Sequence, residues 1–435
     1  MMNKRTEIQY QSLKEIDQLQ NELLQKQMQY LKANSVYYQN LFAGRNLRFE
    51  DIRTKEDLCK IPVTTKKELQ AYNADFFCVP KEDIIDIVTT SGTLGDPVTI
   101  GLTKEDLDRL AYNEYLTFTN AGLTKADTIQ LMTTIDRRFM AGLAYFLGAV
   151  ELGAGIVRVG NGIPELQWDS IRRMNPTACI AVPSFLIKLI DYAEKNGIDY
   201  RHSSLKKAVC IGEALRNKDF SFNTLSQKIN DKWPELQLFM TYASTEMQSA
   251  FSECDAGKGG HLPAELLIVE FLDDQDCPVA EGEPGEVTIT HLGVEGMPLL
   301  RFKTGDVCFH YTDTCACGRH TMRLSSVVGR KGQMIKYKGT TLYPSALYDV
   351  MDKAEGAVNY VVEVSTNEIG TDDILIRVGT AVGNEKLEKQ LKDLFRAKIR
   401  VAPSIVFESP ETIQAIQFPQ MSRKAIKFID KRIKE

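Results

Sequence analysis

The chain has 435 residues, 43% hydrophobic and 26% charged, which is the balance of a folded protein and excludes a disordered one. Its 53 basic and 58 acidic residues leave a net charge of −5, so it lacks the basic excess of a general nucleic-acid binder. No apolar run nears the ~20 residues that span a bilayer, the N-terminus has no apolar signal core, and the odd set of nine cysteines suits a reducing cytoplasm.

Residues 5–43 are predicted to be helical, with Leu13, Ile16, Leu19, Leu23 and Met28 at near-helical spacing. A helix packed on its own domain is expected, since the heptads of a coiled coil are not sustained. Residues 83–88 read as a strand ending in a Thr/Ser/Gly loop. Helices are expected at 104–120, at 139–152 with Gly153 as its stop, and at 185–195 with Gly197 as its stop. Strands are expected at 128–132, 155–159, 179–182 and 207–211. This alternation predicts a mainly parallel sheet covered by helices. Ligands of such sheets sit at the carboxyl ends of strands, which singles out the loops after Val88, Ile211 and Met240. After about residue 265 the helices thin out, and residues 286–290 and 307–310 read as antiparallel strands of a barrel-like region. Gly329-Arg330-Lys331-Gly332 is a plausible hinge. Beyond it, strands at 360–364, 374–378 and 405–407 and a helix opened by Asn384, with Leu387, Leu391 and Leu394 on one face, form an α+β unit. The expected fold is therefore α/β, with a large N-terminal domain over 1–328 and a small C-terminal domain over 329–435.

Four segments are able to carry chemistry. Thr89-Thr90-Ser91-Gly92-Thr93-Leu94-Gly95-Asp96-Pro97 packs hydroxyls and glycines after a strand, as a polyphosphate cradle requires, although an ordinary polar turn has the same composition. No Gly-Lys-Ser/Thr follows, so it is not a Walker loop. Thr241-Tyr242-Ala243-Ser244-Thr245-Glu246 offers a ring for a base to stack on, then a hydroxyl and a carboxylate for phosphate and Mg²⁺. Its alternative is a cap, with Ser244 or Thr245 opening a helix. Asp306, in Arg301-Phe302-Lys303-Thr304-Gly305-Asp306, suits paired ribose hydroxyls or simply occupies a turn. Lys424, in Met421-Ser422-Arg423-Lys424-Ala425-Ile426-Lys427, is either a lysine that enters a site or part of a basic solvated helix face.

A further cluster is independent of these. Cys254 and His261, with six residues between them, and Cys315-Ala316-Cys317-Gly318 supply three thiolates and an imidazole, the donor set of a closed structural zinc site. His320 competes for the fourth position, and free reduced thiols are the alternative. Cys59, Cys78, Cys179, Cys210, Cys277 and Cys308 read as core or incidental residues.

The four segments, in this order, resemble the adenylate-forming superfamily of acyl- and aryl-CoA ligases over nearly the whole chain. Pro183-Ser184, Ile211-Gly212-Glu213-Ala214 and the serine-containing turn before Lys424 are most similar to the phenylacetate–coenzyme A ligases. The resemblance implies that Ser91, Gly92, Thr93 and Gly95 grip the ATP phosphates and that Gly212, Glu213 and Ala214 line the adenine pocket. It implies that Tyr242, within Tyr242-Ala243-Ser244, stacks on adenine, that Thr245 meets the α-phosphate, and that Glu246 ligates Mg²⁺. Asp306 and Arg330 would hold the ribose, Lys424 would be the catalytic lysine, and Lys336 and Gly339 would face coenzyme A. Phe139, Met140, Ala141 and Gly142 would begin the helix lining the acid pocket, with Ile211, Gly212 and Tyr242 as further walls. Two residues depart from the family pattern: Asp96 stands where lysine is usual, and Gly332 stands where a hinge aspartate is common.

The activity implied is conversion of an aryl acid, phenylacetate first, to acyl-AMP and pyrophosphate, then to the CoA thioester. The small C-terminal domain would move between the steps. ATP, Mg²⁺, coenzyme A and a structural Zn²⁺ are the implied cofactors, and a homodimer is implied by resemblance alone. Two other readings stay open: delivery to a carrier-protein thiol, and a zinc-stabilised binding protein without turnover.

Overall fold

Residues 5–43 do not form one helix, because Ser35 ends one and starts another. Helix Leu13–Asn34 is closed by the Ser35 amide on the Leu31 carbonyl, and helix Val36–Gly44 is opened by the Ser35 hydroxyl accepting from the Tyr38 amide. The buried face of the first helix is Ile16, Gln20, Leu24, Gln27, Met28 and Leu31. Its glutamines are satisfied within the same unit, Gln20 donating to the carbonyls of Ala264 and Leu267 and Gln27 to that of Val294. The helix thus packs on its own domain.

The computed structural model describes residues 6–90, 97–337, 340–367, 372–419 and 425–432. They fall into two compact units, 1–326 and 327–435. At the centre of the first unit, parallel strands run in the order Gly155–Arg158, Thr128–Leu131, Ala178–Ala181, Lys207–Cys210, Gln237–Ser244. The sheet continues antiparallel through Ser249–Glu253, Gly260–His261, Arg323–Leu324 and His310–Tyr311.

Successive residues of a strand face opposite sides, and the core divides accordingly. Cys179, Ala181, Ala208, Cys210, Leu238 and Met240 bury against Trp168, Leu186, Leu189 and Trp233, beneath helices Pro164–Met174, Pro183–Lys195 and Thr224–Lys232. Ile180, Val209, Ile211 and Phe239 bury on the other side against Phe118, Tyr145 and Ala149, from helices Lys104–Asn120 and Met140–Leu152. These last two helices touch closely at Gly148, where an added Cβ would lie 2.3 Å from the Glu114 Cβ. Only glycine fits there. Strands Leu267–Leu272, Gly285–His291 and Phe302–Cys308 pair antiparallel beyond the main sheet.

The second unit is a mixed sheet in the order Ser404–Glu408, Asp372–Gly379, Asn359–Thr366, Phe428–Asp430, with helices Pro344–Met351, Glu385–Ile399 and Pro410–Gln417. The Asn384 side chain caps the middle helix through the Leu387 amide, and Leu387, Leu391 and Phe395 bury its inner face. Arg432 donates to the carbonyls of Gly332 (3.1 Å) and Met334 (2.6 Å), so the glycine-bracketed segment is tied to the end of this sheet. Ala425 to Lys427 carry no helix and lead directly into strand Phe428–Asp430. Among the described residues no helix is long and apolar enough to cross a membrane.

Candidate functional site

Strands Lys207–Cys210 and Gln237–Ser244 pair with Cys210 opposite Met240. Gly212 and Tyr242, each two residues further on, therefore emerge side by side at the carboxyl end of the sheet. Gly212 has φ 74°, which lets the chain turn sharply out of its strand. The Glu213 carboxylate turns back to the start of helix Pro183–Lys195, accepting from the Ser184 amide (2.8 Å) and hydroxyl (2.9 Å). A carboxylate at that helix N-terminus meets amides that have no partner within the helix. The Ala214 carbonyl accepts from Asn223 at 2.7 Å.

The Tyr242 hydroxyl donates to Asp306 Oδ2 at 3.0 Å, joining two segments that are 64 positions apart. Asp306 lies in strand Phe302–Cys308 just after Gly305, whose φ is 78°, and its amide donates to Thr304 Oγ1 at 3.2 Å. Burial first, and then the Asp306 charge, push the Tyr242 phenol well above its ordinary range, so it remains a neutral donor. Beyond Ala243 no helix follows, which overturns the capping alternative. The Ser244 hydroxyl accepts from the Met247 amide, and this turn returns the chain into strand Ser249–Glu253. Thr245 lies in the turn. Glu246 is buried and pairs with Lys66 at 3.1 Å.

Lys66 carried no signal in the sequence, being one of two lysines opening a short helix. His291 was equally silent. Its Nε2 faces the Met247 carbonyl (3.0 Å), and its Nδ1 accepts from the Leu299 amide (3.1 Å). Burial, aided by nearby Arg109, lowers its pKa to about 3. A neutral imidazole thus braces the turn that carries Glu246.

Ser91, Gly92, Thr93 and Gly95 lie outside the described residues, as does Asp96. The flanks of their loop are fixed, since Thr89 pairs with Thr99, and Thr90 and Val98 exchange two hydrogen bonds. The Thr89 amide also donates to the Arg138 carbonyl, which brings this hairpin to Phe139 at the start of helix Met140–Leu152. Ala141 faces the same core as Ile211. Arg330 and Lys336 lie in the second unit, where the Lys336 amide donates to Asp372. Gly339 and Lys424 lie outside the described residues.

Cys254, His261, Cys315 and Cys317 bring one ligand atom each into a group in which all lie within 4.8 Å of one another. The separations are 3.7 Å for Cys254–Cys315, 3.4 Å for His261 Nε2–Cys254 and 3.5 Å for Cys317–His261 Nε2. The second nitrogen, Nδ1, faces Thr321 Oγ1 at 3.3 Å, which fixes the ring's orientation. His320 is not one of the four, and its Nδ1 faces Thr314 Oγ1 at 3.1 Å.

Glu253, next to Cys254, links this cluster to the turns at Gly212 and Tyr242. Its carboxylate takes two bonds from Arg216 (2.6 and 3.1 Å) and one from the Met240 amide (3.2 Å). Arg216 follows the Gly212 turn by four residues, and Met240 precedes Tyr242 by two. The Glu253 side chain is fully buried and that of Arg216 nearly so. Removing one partner of a buried pair strands the other, so Glu253→Ala should cost about 3–5 kcal/mol. A loss of unfolding free energy below about 1 kcal/mol, read from urea unfolding, would contradict the assignment.

The AMP-binding enzyme family model matches residues 14–295. Phenylacetate–coenzyme A ligase of Thermus thermophilus is 29% identical over 77% of this chain and 74% of its own length. The enzymes of the same name from Escherichia coli and Aromatoleum evansii are 28% and 25% identical, over 81% and 97% of this chain and 80% and 96% of their own lengths. Among solved structures, 2-hydroxyisobutyryl-CoA ligase with an acyl-AMP superposes with a TM-score of 0.83 at 21% identity, covering 98% of this chain and 91% of that one. The structure of that ligase with acyl-AMP and CoA covers 98% of this chain and 92% of its own, with a TM-score of 0.71 at 22% identity.

Proposed function

Because this chain belongs to the AMP-binding enzyme family, we propose that it activates a carboxylic acid as acyl-AMP, releasing pyrophosphate, and passes the acyl group to coenzyme A. The observation that carries this reading is the Tyr242–Asp306 contact of 3.0 Å beside the Gly212 turn. It sets a ring for adenine next to a carboxylate for ribose hydroxyls, at the end of the sheet where such ligands bind.

The residues suit the chemistry. A carboxylate is a weak electrophile until one oxygen is carried off as phosphate. Its attack on the α-phosphate joins two anions, which cations and oriented hydrogen-bond donors must offset. Thr245 would orient the α-phosphate, and Ser91, Gly92, Thr93 and Gly95 would grip the outer phosphates. Glu246 is a carboxylate able to hold Mg²⁺, which supplies charge neutralisation at the phosphates when bound. Lys66, its partner, would then be released to the phosphates. Gly212 and Ala214 line the base, Arg330 assists the ribose, and Lys424 bridges the two anions. Lys336 and Gly339 serve the coenzyme in the second step. Aryl acids are the first class to try, phenylacetate above all, because the curated relatives carry that name over most of their length.

The four-residue cluster fits zinc. A tetrahedron with Zn–S near 2.3 Å and Zn–N near 2.05 Å has edges of about 3.8 Å between sulfurs and about 3.6 Å between sulfur and nitrogen. The separations of 3.7, 3.4 and 3.5 Å match those edges. Cys254, His261, Cys315 and Cys317 would hold the ion, and its role would be structural.

Pyrophosphate release across a panel of carboxylic acids, with and without coenzyme A, tests the reading. Release with at least one acid, followed by thioester formation only when coenzyme A is present, is expected. Release without thioester would redirect the acyl group to a carrier-protein thiol. No release with any acid would leave a zinc-stabilised binding protein.

A further inference from the structure

The acid pocket assigned above has a polar floor. Ala141 and Tyr145 are four residues apart on helix Met140–Leu152 and so share a face. The Tyr145 ring packs in the same cluster as Ile211, and its hydroxyl lies 3.4 Å from Thr241 Oγ1. Thr241 in turn donates to the Cys210 carbonyl at 3.0 Å. Thr241 thus spends its proton on Cys210, and the Tyr145 proton goes to Thr241. What the Tyr145 oxygen retains is acceptor capacity. Cys210 and Thr241 each precede a wall residue, Ile211 and Tyr242. Ile211, Thr241 and Tyr242 are each 8% exposed, against 0% at Cys210 and 2% at Met240, and Tyr145 beneath them is 2% exposed.

The facing helix adds a second polar group. Glu114 is buried opposite Gly148, one turn beyond Tyr145. Its carboxyl accepts from Asn113 Nδ2 at 2.9 Å and has the Thr117 hydroxyl beside it. Burial pushes this carboxyl up to about 7.

A floor built for unsubstituted aryl groups would carry hydrocarbon here. We infer that Tyr145, oriented by Thr241, is a specificity-determining residue that selects carboxylic acids bearing a hydroxyl at the end remote from the carboxylate. The inference rests on the ligase reading and narrows its substrate class. A site with a committed acceptor favours the donor-bearing acid, because the analogue without it leaves that acceptor dry and unpaired.

The test compares matched pairs in the pyrophosphate assay: 4-hydroxyphenylacetate with phenylacetate, and 4-hydroxybutyrate with butyrate. The wild type should favour the hydroxylated member of at least one pair by about tenfold or more in kcat/KM. Tyr145→Phe should erase most of that ratio. Thr241→Val, which frees the Tyr145 proton, should lower the same ratio and serves if the first variant does not fold. A wild type that treats both members of every pair alike overturns the inference, as does a preference that survives in a folded variant. In both cases pyrophosphate is still released and the ligase reading stands. Silence with every acid removes the ligase reading and the inference with it.

Discussion

Lys424→Ala should lower acyl-AMP formation by about 10²-fold to 10³-fold or more, the range seen when one charge-stabilising donor is removed from a reacting centre. The same variant should convert supplied acyl-AMP and coenzyme A to thioester at close to the wild-type rate. The asymmetry follows from the two reactions. In the first, a carboxylate and a phosphate must meet, and a cation between them offsets their repulsion. In the second, a thiol attacks an anhydride whose negative charge leaves with AMP, and no bridge between two reacting anions is needed. Lys427 supplies the control. It lies over the Tyr360 ring at 5.1 Å and reaches the Tyr360 hydroxyl at 3.3 Å and Asp352 at 3.6 Å, so it is committed within its own unit. Lys427→Ala should therefore spare adenylation. Pyrophosphate release and thioester absorbance read the two steps separately, and equal loss of both in Lys424→Ala would remove its assigned role.

What could be read from the sequence was local. Asn384 announced its helix, and Gly153, with φ 75°, closed its own as expected. Residues 104–120 form a helix with the expected bounds, opened by a Thr103–Asp106 capping box. Alternating strands and helices implied a parallel sheet, and parallel pairing is found from Thr128–Leu131 to Gln237–Ser244. The break at Ser35 escaped a periodicity argument because a capping serine inside a long polar helix looks like any other exposed residue. The mates of the site residues escaped for another reason. Lys66 and Glu246 are 180 positions apart, and Tyr242 and Asp306 are 64 apart. Such pairings depend on where strands end in space, which composition does not encode. Tyr145 was hidden in an apolar helix, where a tyrosine reads as core until its hydroxyl is seen to meet Thr241. The Cys/His cluster was legible because thiols and imidazoles are few enough in the sequence to count.

That cluster gives the largest expected effect on stability. Protein purified without chelator should contain about one equivalent of zinc, and Cys315→Ser should lose it. Serine keeps the volume but offers no thiolate, so three remaining donors must hold an ion that a closed site holds with four. The loss should lower the melting temperature by more than about 5 °C, since several kcal/mol are at stake and a large domain shifts by roughly 2 °C per kcal/mol. The change should also be felt at the N-terminus. The His320 amide donates to the Gln9 carbonyl at 2.7 Å, Arg319 donates to Gln9 Oε1 at 2.8 Å, and the Arg319 guanidinium lies 5.0 Å from the Tyr10 ring. The segment Thr6–Tyr10 thus rests on the loop that carries Cys315 and Cys317. Limited proteolysis should cut there sooner in Cys315→Ser or after chelation. Cys59→Ser, which changes an exposed thiol away from the cluster, should alter neither metal content nor cleavage. The effect should reach the Gly212 and Tyr242 turns through Glu253, because the residue that follows it, Cys254, belongs to the cluster and its carboxylate holds Arg216 and the Met240 amide. A metal-free protein should therefore show a raised KM for ATP before it loses its fold. If metal content is nil while melting and KM match those of a zinc-loaded sample, the four residues are ordinary reduced thiols beside a histidine.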